Sequence, residues 1–332
     1  MGEVEGPVLV LGGAGYVGSH TVRLLEERGV SVVVLDNLST GHRAAVKGLL
    51  VQADLSDPPA LQAVFREHHP KAVIHFAAKC YVGESVQAPA KYYRENVVNS
   101  FHLLEAMREA GCGQIVFSST CATYGVPTRP TLDEEHVQLP ISPYGRTKLA
   151  IEHMLQDYSR AYGLHYAALR YFNAAGAAPD AGLGEHHDPE THLIPLLLRV
   201  ALERCEEILV FGDDYETPDG TCVRDYVHVE DLADAHLRAL ARLQDGRDQV
   251  VCNLGSGLGF SVSEVIEMVR RVTGHAIPAR VVARREGDPA RLVSGGKRAK
   301  ELLGWSPRRS GLEQIVRDAW RFQRAHPDGF DA

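Results

Sequence analysis

The stretch from Val8 to Asp36 constrains the chain most, because only one kind of unit accommodates its order of residues. Pro7-Val8-Leu9-Val10-Leu11 is a short apolar run bounded by turn residues, which predicts a strand buried on both faces. The turn Gly12-Gly13-Ala14-Gly15-Tyr16-Val17-Gly18 follows, and its glycines fit both Gly13-x-Gly15-x-x-Gly18 and Gly12-x-x-Gly15-x-x-Gly18. Such glycines permit positive φ and let backbone N–H groups reach a pyrophosphate. They also let the next helix, predicted over Tyr16 to Arg28, pack closely on the strand with its positive end toward the anion. A second β-branched run, Ser31-Val32-Val33-Val34-Leu35, ends at Asp36, whose carboxylate can accept hydrogen bonds from an adenosine ribose. The same carboxylate repels a 2′-phosphate, so NAD is expected rather than NADP.

The 332 residues, 45% of them hydrophobic, can bury a large core and are long enough for about two domains. The net charge of −8, with no Lys/Arg run, gives nucleic acid or an anionic membrane no electrostatic foothold. Met1 to Gly6 is acidic with no apolar core, and no stretch approaches the roughly 20 apolar residues that span a bilayer, so a cytoplasmic protein is expected. Cys80, Cys112, Cys121, Cys205, Cys222 and Cys252 show no C-x-x-C spacing, which fits reduced thiols and no zinc site. His68-His69 and His186-His187 are adjacent pairs, and helix neighbours do not share a face. These read as solvated histidines, and no metal is expected.

Beyond Asp36, Val51-Gln52-Ala53-Asp54-Leu55 reads as a strand ending in an acid placed to face the adenine, Pro58 to His69 as a helix, and Ala72 to Phe76 as a strand with Phe76-Ala77-Ala78 at its end. Repeated alternation of apolar strand and amphipathic helix predicts a Rossmann-like, doubly wound parallel α/β sheet, with ligands beyond the strands' C-terminal ends. Pro89 to Ala110 has helical spacing, with Tyr93, Val97, Phe101, Leu104 and Met107 forming a stripe that is most simply core. Gln114 to Thr120 is a strand with a hydroxyl-bearing tail. In Ser142-Pro143-Tyr144-Gly145-Arg146-Thr147-Lys148, Ser142 suits an N-cap and Pro143 the first helical position, so Tyr144 and Lys148 share one helical face. A tyrosine of pKa about 10 is no base near neutrality, but a nearby ammonium and a cationic nicotinamide each favour the phenolate. Lowering it by about 3 units takes roughly 4 kcal/mol, within reach of two cations in a partly desolvated cleft.

With these residues in view, the chain resembles the extended short-chain dehydrogenase/reductase superfamily and, within it, the UDP-galactose 4-epimerases and their relatives. The motifs are Gly12 to Gly18, Asp36-Asn37-Leu38, Asp54-Leu55, His75-Phe76-Ala77-Ala78, Val82-Gly83-Glu84-Ser85, Ser118-Ser119-Thr120, Ser142-Pro143-Tyr144-Gly145-x-x-Lys148, Arg170-Tyr171-Phe172-Asn173 and Val223-Arg224-Asp225-Tyr226-Val227-His228-Val229. The resemblance implies Tyr144 as acid/base, Thr120 as the hydroxyl beside it, Lys148 on the nicotinamide ribose and Phe172 along the nicotinamide. Around NAD it adds Gly12, Gly15, Tyr16, Val17, Gly18, Asp36, Asn37, Asp54, Leu55, Phe76, Ala77 and Ala78. For a UDP-sugar it implies Asn173 at the diphosphate, His192-Leu193 and Leu209 to Phe211 along uridine, and Arg224, Arg285 and Asp288 at phosphates and ribose. It also implies a homodimer through the helices at Pro89 to Ala110 and Pro143 to Ala161. The chain would divide into an NAD-binding unit, 1–172 with 229–257, and a substrate unit, 173–228 with 258–332. Two departures stand out: Cys80 replaces a lysine common in the family, and Ser294-Gly295-Gly296-Lys297 lacks an acidic helix start.

The activity implied is inversion at C4 of a UDP-hexose through a 4-keto sugar, glucose and galactose first, with N-acetylhexoses or xylose/arabinose as alternatives. A 4,6-dehydratase needs a further acid and base after the strand-end threonine, where this chain has Cys121-Ala122. A non-catalytic NAD sensor would have no need of Thr120, Tyr144 and Lys148 together. By resemblance, Leu292 stands where a residue gates the sugar's 2-substituent; its other reading is simple core packing.

Overall fold

The computed structural model describes residues 4–247, 249–285 and 288–331. Residues 1–3 of the acidic N-terminal stretch, 286 and 287 of the Arg285-to-Asp288 segment, and Ala332 at the end of the expected substrate unit lie outside the described residues. The chain runs β1 (Val8–Leu11), α1 (Tyr16–Glu27), β2 (Val32–Asp36), β3 (Leu49–Gln52), α2 (Pro58–His68), β4 (Ala72–His75), α3 (Val82–Gln87), α4 (Pro89–Tyr92), α5 (Asn99–Ala110) and β5 (Gln114–Thr120). It continues through α6 (Pro143–Tyr162), β6 (His165–Tyr171), β7 (Asn173–Ala175), α7 (Leu193–Ala201), β8 (Ile208–Phe211), β9 (Val223–His228), α8 (Val229–Gln244) and β10 (Val250–Leu254). β11 (Gly259–Ser261), α9 (Val262–Thr273), β12 (Ala279–Val282), β13 (Arg291–Leu292), α10 (Arg298–Leu303) and α11 (Leu312–Ala325) close it.

Seven strands form one parallel sheet in the order β10-β6-β5-β4-β1-β2-β3, the doubly wound α/β architecture expected. Alternate residues of each strand face opposite sides, so both faces need cover. Val8, Val10, Val32, Val34 and Ile74 pack with α1 and α8, while Leu9, Leu11, Val33, Leu35 and Val73 pack with α2, α5 and α6. The order reverses at β1, with β2 on one side and β4 on the other, and that switch opens the crevice used by ligands of such sheets. A third core joins α7, α9 and α11 to β8 and β9. There β9 pairs with β7, β11 and β13, and β12 pairs with β8. α10 and Trp305 instead pack with the first face of the large sheet.

Three expectations are corrected. The strand expected at Val51 to Leu55 lies earlier, at Leu49–Gln52, because pairing with Val33 to Asp36 of β2 decides its span; Asp54 sits in the turn beyond. The helix expected over Pro89 to Ala110 is interrupted by a π-helical segment, Tyr93–Val98, between α4 and α5. That extra residue per turn rotates the stripe: Leu104 and Met107 are core, but Tyr93 is 43% and Phe101 46% exposed. The third concerns His187 and belongs to the site.

Candidate active site

A cavity of about 1410 Å³ runs along the C-terminal ends of the large sheet, from the glycine turn at one end to β8 and β9 at the other. At its first end the turn is built as the glycine spacing implies. Gly12 has φ +74°, and a Cβ on Gly18 would lie 2.2 Å from the Gly12 carbonyl oxygen, so only glycine lets α1 approach β1 this closely. The N-cap Gly15 offers no side chain to the first turn of α1, which leaves its N–H groups at Tyr16, Val17 and Gly18 facing the cavity, a donor set suited to a pyrophosphate. Asp36, 7% exposed, accepts from Ala14 N (3.0 Å) and Leu38 N (2.8 Å), so it ties the turn to β2 while still lining the cavity. Burial raises its carboxyl pKa, and those two donors pull it back. Asn37 donates to Asp54 (2.6 Å), and Leu55, Phe76, Ala77 and Ala78 complete this wall. The residues present therefore fit a dinucleotide.

In the middle, α6 presents its first turn to the end of β5. Ser142 Oγ accepts from Gly145 N (3.2 Å), the expected cap, and a Cβ on Gly145 would lie 2.4 Å from the Ala122 carbonyl oxygen. That glycine allows the close approach that joins Tyr144 to Thr120, both of which line the cavity with Lys148. Lys148 is 3% exposed; its Nζ donates to Ser118 O (2.9 Å) and lies 4.8 Å from the Phe117 ring centroid. Burial pulls its ammonium down to about 8. Burial also pushes the Tyr144 phenol well above its usual value, with a hydrogen bond from Thr120 pulling the other way. In the chain alone desolvation dominates both groups, and the ammonium is directed to a strand carbonyl.

Behind Thr120, Glu152 accepts from Ser119 Oγ (2.5 Å) and from both Nε and Nη2 of Arg170, and Arg170 reaches Tyr124 Oη (2.9 Å), which donates to Asn253 (2.7 Å). This buried network fixes the strand ends that carry Thr120 and Phe172. Cys121, next after Thr120, has its thiol pushed up to about 12 by burial.

At the far end, Asn173 donates to Asp225 O (3.0 Å), and Arg224 is ion-paired with Asp288 (2.6 Å) rather than solvated. The exposed guanidinium of Arg285 stacks 3.8 Å from the Phe211 ring centroid, and His192, Leu193 and Leu209 line the same end. Leu292 lines the cavity while packing with Cys121, Tyr124, Leu132 and Phe172. The residues implied in the sequence for catalysis, NAD and the UDP-sugar, with Phe172 among them, therefore all line one cleft.

Sequence reasoning missed others. Asn96, turned inward by the π segment, bonds Lys79 N and O and Thr147, while Asn99 lines the cavity with its Oδ1 buried and unbonded. Their signal was polar residues inside an apolar stripe. Lys79 Nζ reaches Ser39 Oγ (3.2 Å) on the cofactor side, beside Cys80. Glu185 and His187 also line the cavity, against the expectation of a solvated histidine pair. Although burial opposes its charge, Glu185 and Glu190 hold the His187 imidazole up at about 10.

Residues 8–255 match the family described as NAD dependent epimerase/dehydratase. The UDP-glucose 4-epimerase of Halalkalibacterium halodurans is 50% identical over 324 residues, which cover 97% of this chain and 97% of that protein. The crystal structure of UDP-glucose 4-epimerase from Brucella ovis in complex with NAD superposes with a TM-score of 0.93 at 51% identity, covering 96% of this chain and 98% of that one. The enzyme from Bifidobacterium longum in complex with NAD+ and UDP gives 0.91 at 35% identity, covering 97% and 99%.

Proposed function

The chain belongs to the NAD dependent epimerase/dehydratase family, and from that premise we propose that it is a UDP-hexose 4-epimerase with NAD as cofactor, interconverting UDP-glucose and UDP-galactose. One observation carries the reading beyond family membership: an uncapped helix N-terminus, the set Thr120, Tyr144 and Lys148, and the Arg224–Asp288 pair share a single cleft. NAD+, held there, would supply the two-electron oxidant for C4 and a positive charge that favours the phenolate. Tyr144 removes the 4-OH proton and later returns it, Thr120 hydrogen-bonds the reacting oxygen, and Lys148 holds the ribose and favours the phenolate. Gly12, Gly15, Tyr16, Val17, Gly18, Asp36, Asn37, Asp54, Leu55, Phe76, Ala77, Ala78 and Phe172 surround the dinucleotide in this reading. Asn173, His192, Leu193, Phe211, Arg224, Arg285 and Asp288 take the nucleotide-sugar. A dehydratase is disfavoured because Cys121, its thiol pushed up to about 12, and Ala122 offer neither acid nor base for water elimination.

The two-unit division, 1–172 with 229–257 and 173–228 with 258–332, is supported by the separate cores, with α10 returning to the first. A homodimer through α4–α5 and α6 is supported by exposed Tyr93, Val98 and Phe101; sedimentation should give twice the chain mass, and Phe101→Glu should shift it toward the monomer. Among the described residues no helix is long and apolar enough to cross a membrane; a cytoplasmic location is supported by the free thiols. The deciding experiment incubates purified protein with a panel of UDP-sugars and no added cofactor, products resolved by chromatography. Interconversion of UDP-glucose and UDP-galactose is expected; a 4-keto-6-deoxy product or no turnover would overturn the assignment.

A further inference from the structure

We propose that Glu185, His187, Glu190 and His192 form a binding site for one divalent first-row cation of the zinc type, in the loop between β7 and α7. The site borders the nucleotide-sugar end of the cleft, and His192 belongs to both. One ligand atom from each residue, a ring nitrogen from the histidines and a carboxylate oxygen from the glutamates, lies within 4.8 Å of all the others. His187 Nδ1 is 3.3 Å from Glu185 Oε1 and 3.7 Å from Glu190 Oε2, and His192 Nδ1 is 3.6 Å from Glu190 Oε1. A tetrahedral ion with bonds of about 2.0–2.1 Å sets its ligands roughly 3.3 Å apart; the His187–Glu185 contact is already at 3.3 Å, and the two Glu190 contacts, made through its two different oxygens, are at 3.6 and 3.7 Å. The fourth, His192 Nδ1 to Glu185 Oε1 at 2.5 Å, is a hydrogen bond that opens by less than about 1 Å when the ion replaces the proton.

Three further features favour a cation. His187 Nδ1 is buried and makes no hydrogen bond of acceptable geometry, although both carboxylates are near it. The Glu185 and Glu190 side chains are 6% and 1% exposed, and among the described residues no lysine or arginine pairs with either. Two buried carboxylates need two positive charges, which protonated imidazoles supply in the empty site and a divalent ion with two neutral imidazoles supplies in the filled one. The ligands are also oriented from outside: Glu190 Oε1 accepts from Thr191 N (2.8 Å) and His192 N (2.9 Å), and the His187 ring is edge-on to Tyr16 and Tyr81. Four protein ligands make a closed, structural site, and two imidazoles with two carboxylates select zinc-type ions over magnesium or calcium. Its consequence is mechanical, pinning the loop against Tyr16 of the glycine turn.

The test uses tag-free protein with its NAD retained, stripped with chelator and titrated with Zn2+, Co2+ and Mg2+ separately. One equivalent of Zn2+ or Co2+ per chain is expected, the cobalt form showing the intense visible bands of four-coordination, with no saturable Mg2+ uptake. Glu190→Gln and His187→Gln should each weaken binding by at least roughly tenfold, the lower bound even for outer-shell changes. Absence of uptake, a six-coordinate cobalt spectrum, or binding unchanged in both variants would overturn the proposal. Should a variant fail to fold, stoichiometry and spectrum of the unaltered protein decide alone.

Discussion

At Tyr144 the competing effects are burial, which opposes the phenolate, and positive charge, which favours it. Since the chain alone leaves the phenol high, base strength must come from charge gathered in the cleft, and removing the hydroxyl removes the base outright. Tyr144→Phe keeps the ring, so epimerisation should drop roughly 10²- to 10⁴-fold while NAD, assayed after denaturation, stays bound. Near-normal turnover would take Tyr144 out of the reaction. Lys148 makes a subtler prediction, because burial pulls its ammonium down to about 8. Below that pH it is charged and favours the phenolate; above it the charge and its help are lost. Lys148→Ala should therefore move the acidic limb of the rate profile to higher pH, and the gap between variant and parent should narrow above about pH 8. A gap independent of pH would leave Lys148 with ribose binding only. The sequence made Tyr144 and Lys148 legible through their spacing, but not the sign of their pKa shifts, since desolvation depends on what the rest of the chain packs over them.

Among the elements, the glycine turn and the caps were legible because their chemistry is local. The Ser142 cap with Pro143 formed as its spacing predicts, and α9 opens on a capping box of Ser261 and Glu264. Gly18→Ala tests the turn: its Cβ would meet backbone, which cannot rotate away, so α1 must shift from β1 at about 1–3 kcal/mol. NAD affinity should fall roughly ten- to hundredfold by fluorescence titration, whereas Gly113→Ala, with nothing within 4 Å of its Cβ, should leave it unchanged. Equal effects would mean that the turn tolerates a side chain. The π segment was not legible, because a regular helical stripe and an interrupted one look alike until Asn96 finds Lys79 and Thr147.

At the scale of the whole molecule, β13, from the last part of the chain, pairs with β9 and brings Leu292 to the cleft beside Cys121, the residue after β5. Leu292 there packs with Cys121 and Phe172 and also lines the cleft, so its core reading is met and its gate reading is open to test. The parent should convert UDP-N-acetylgalactosamine as well as UDP-galactose, and Leu292→Tyr should lower the ratio of their kcat/KM by roughly ten- to two-hundredfold, the cost of a steric clash of about 1–3 kcal/mol. An unaltered ratio would return Leu292 to packing alone. The sequence by itself determined the alternation of strand and helix, the glycine turn with its terminal acid, and the candidate set of Thr120, Tyr144 and Lys148, because each rests on side chains close together along the chain. Only the tertiary structure decided that Lys148 points to Ser118, that Arg224 is spoken for by Asp288, and that His187 is gathered with Glu185 and Glu190 instead of solvated. Burial and charge pairing are set by segments far apart in sequence, and no local pattern of residues records which of them will meet.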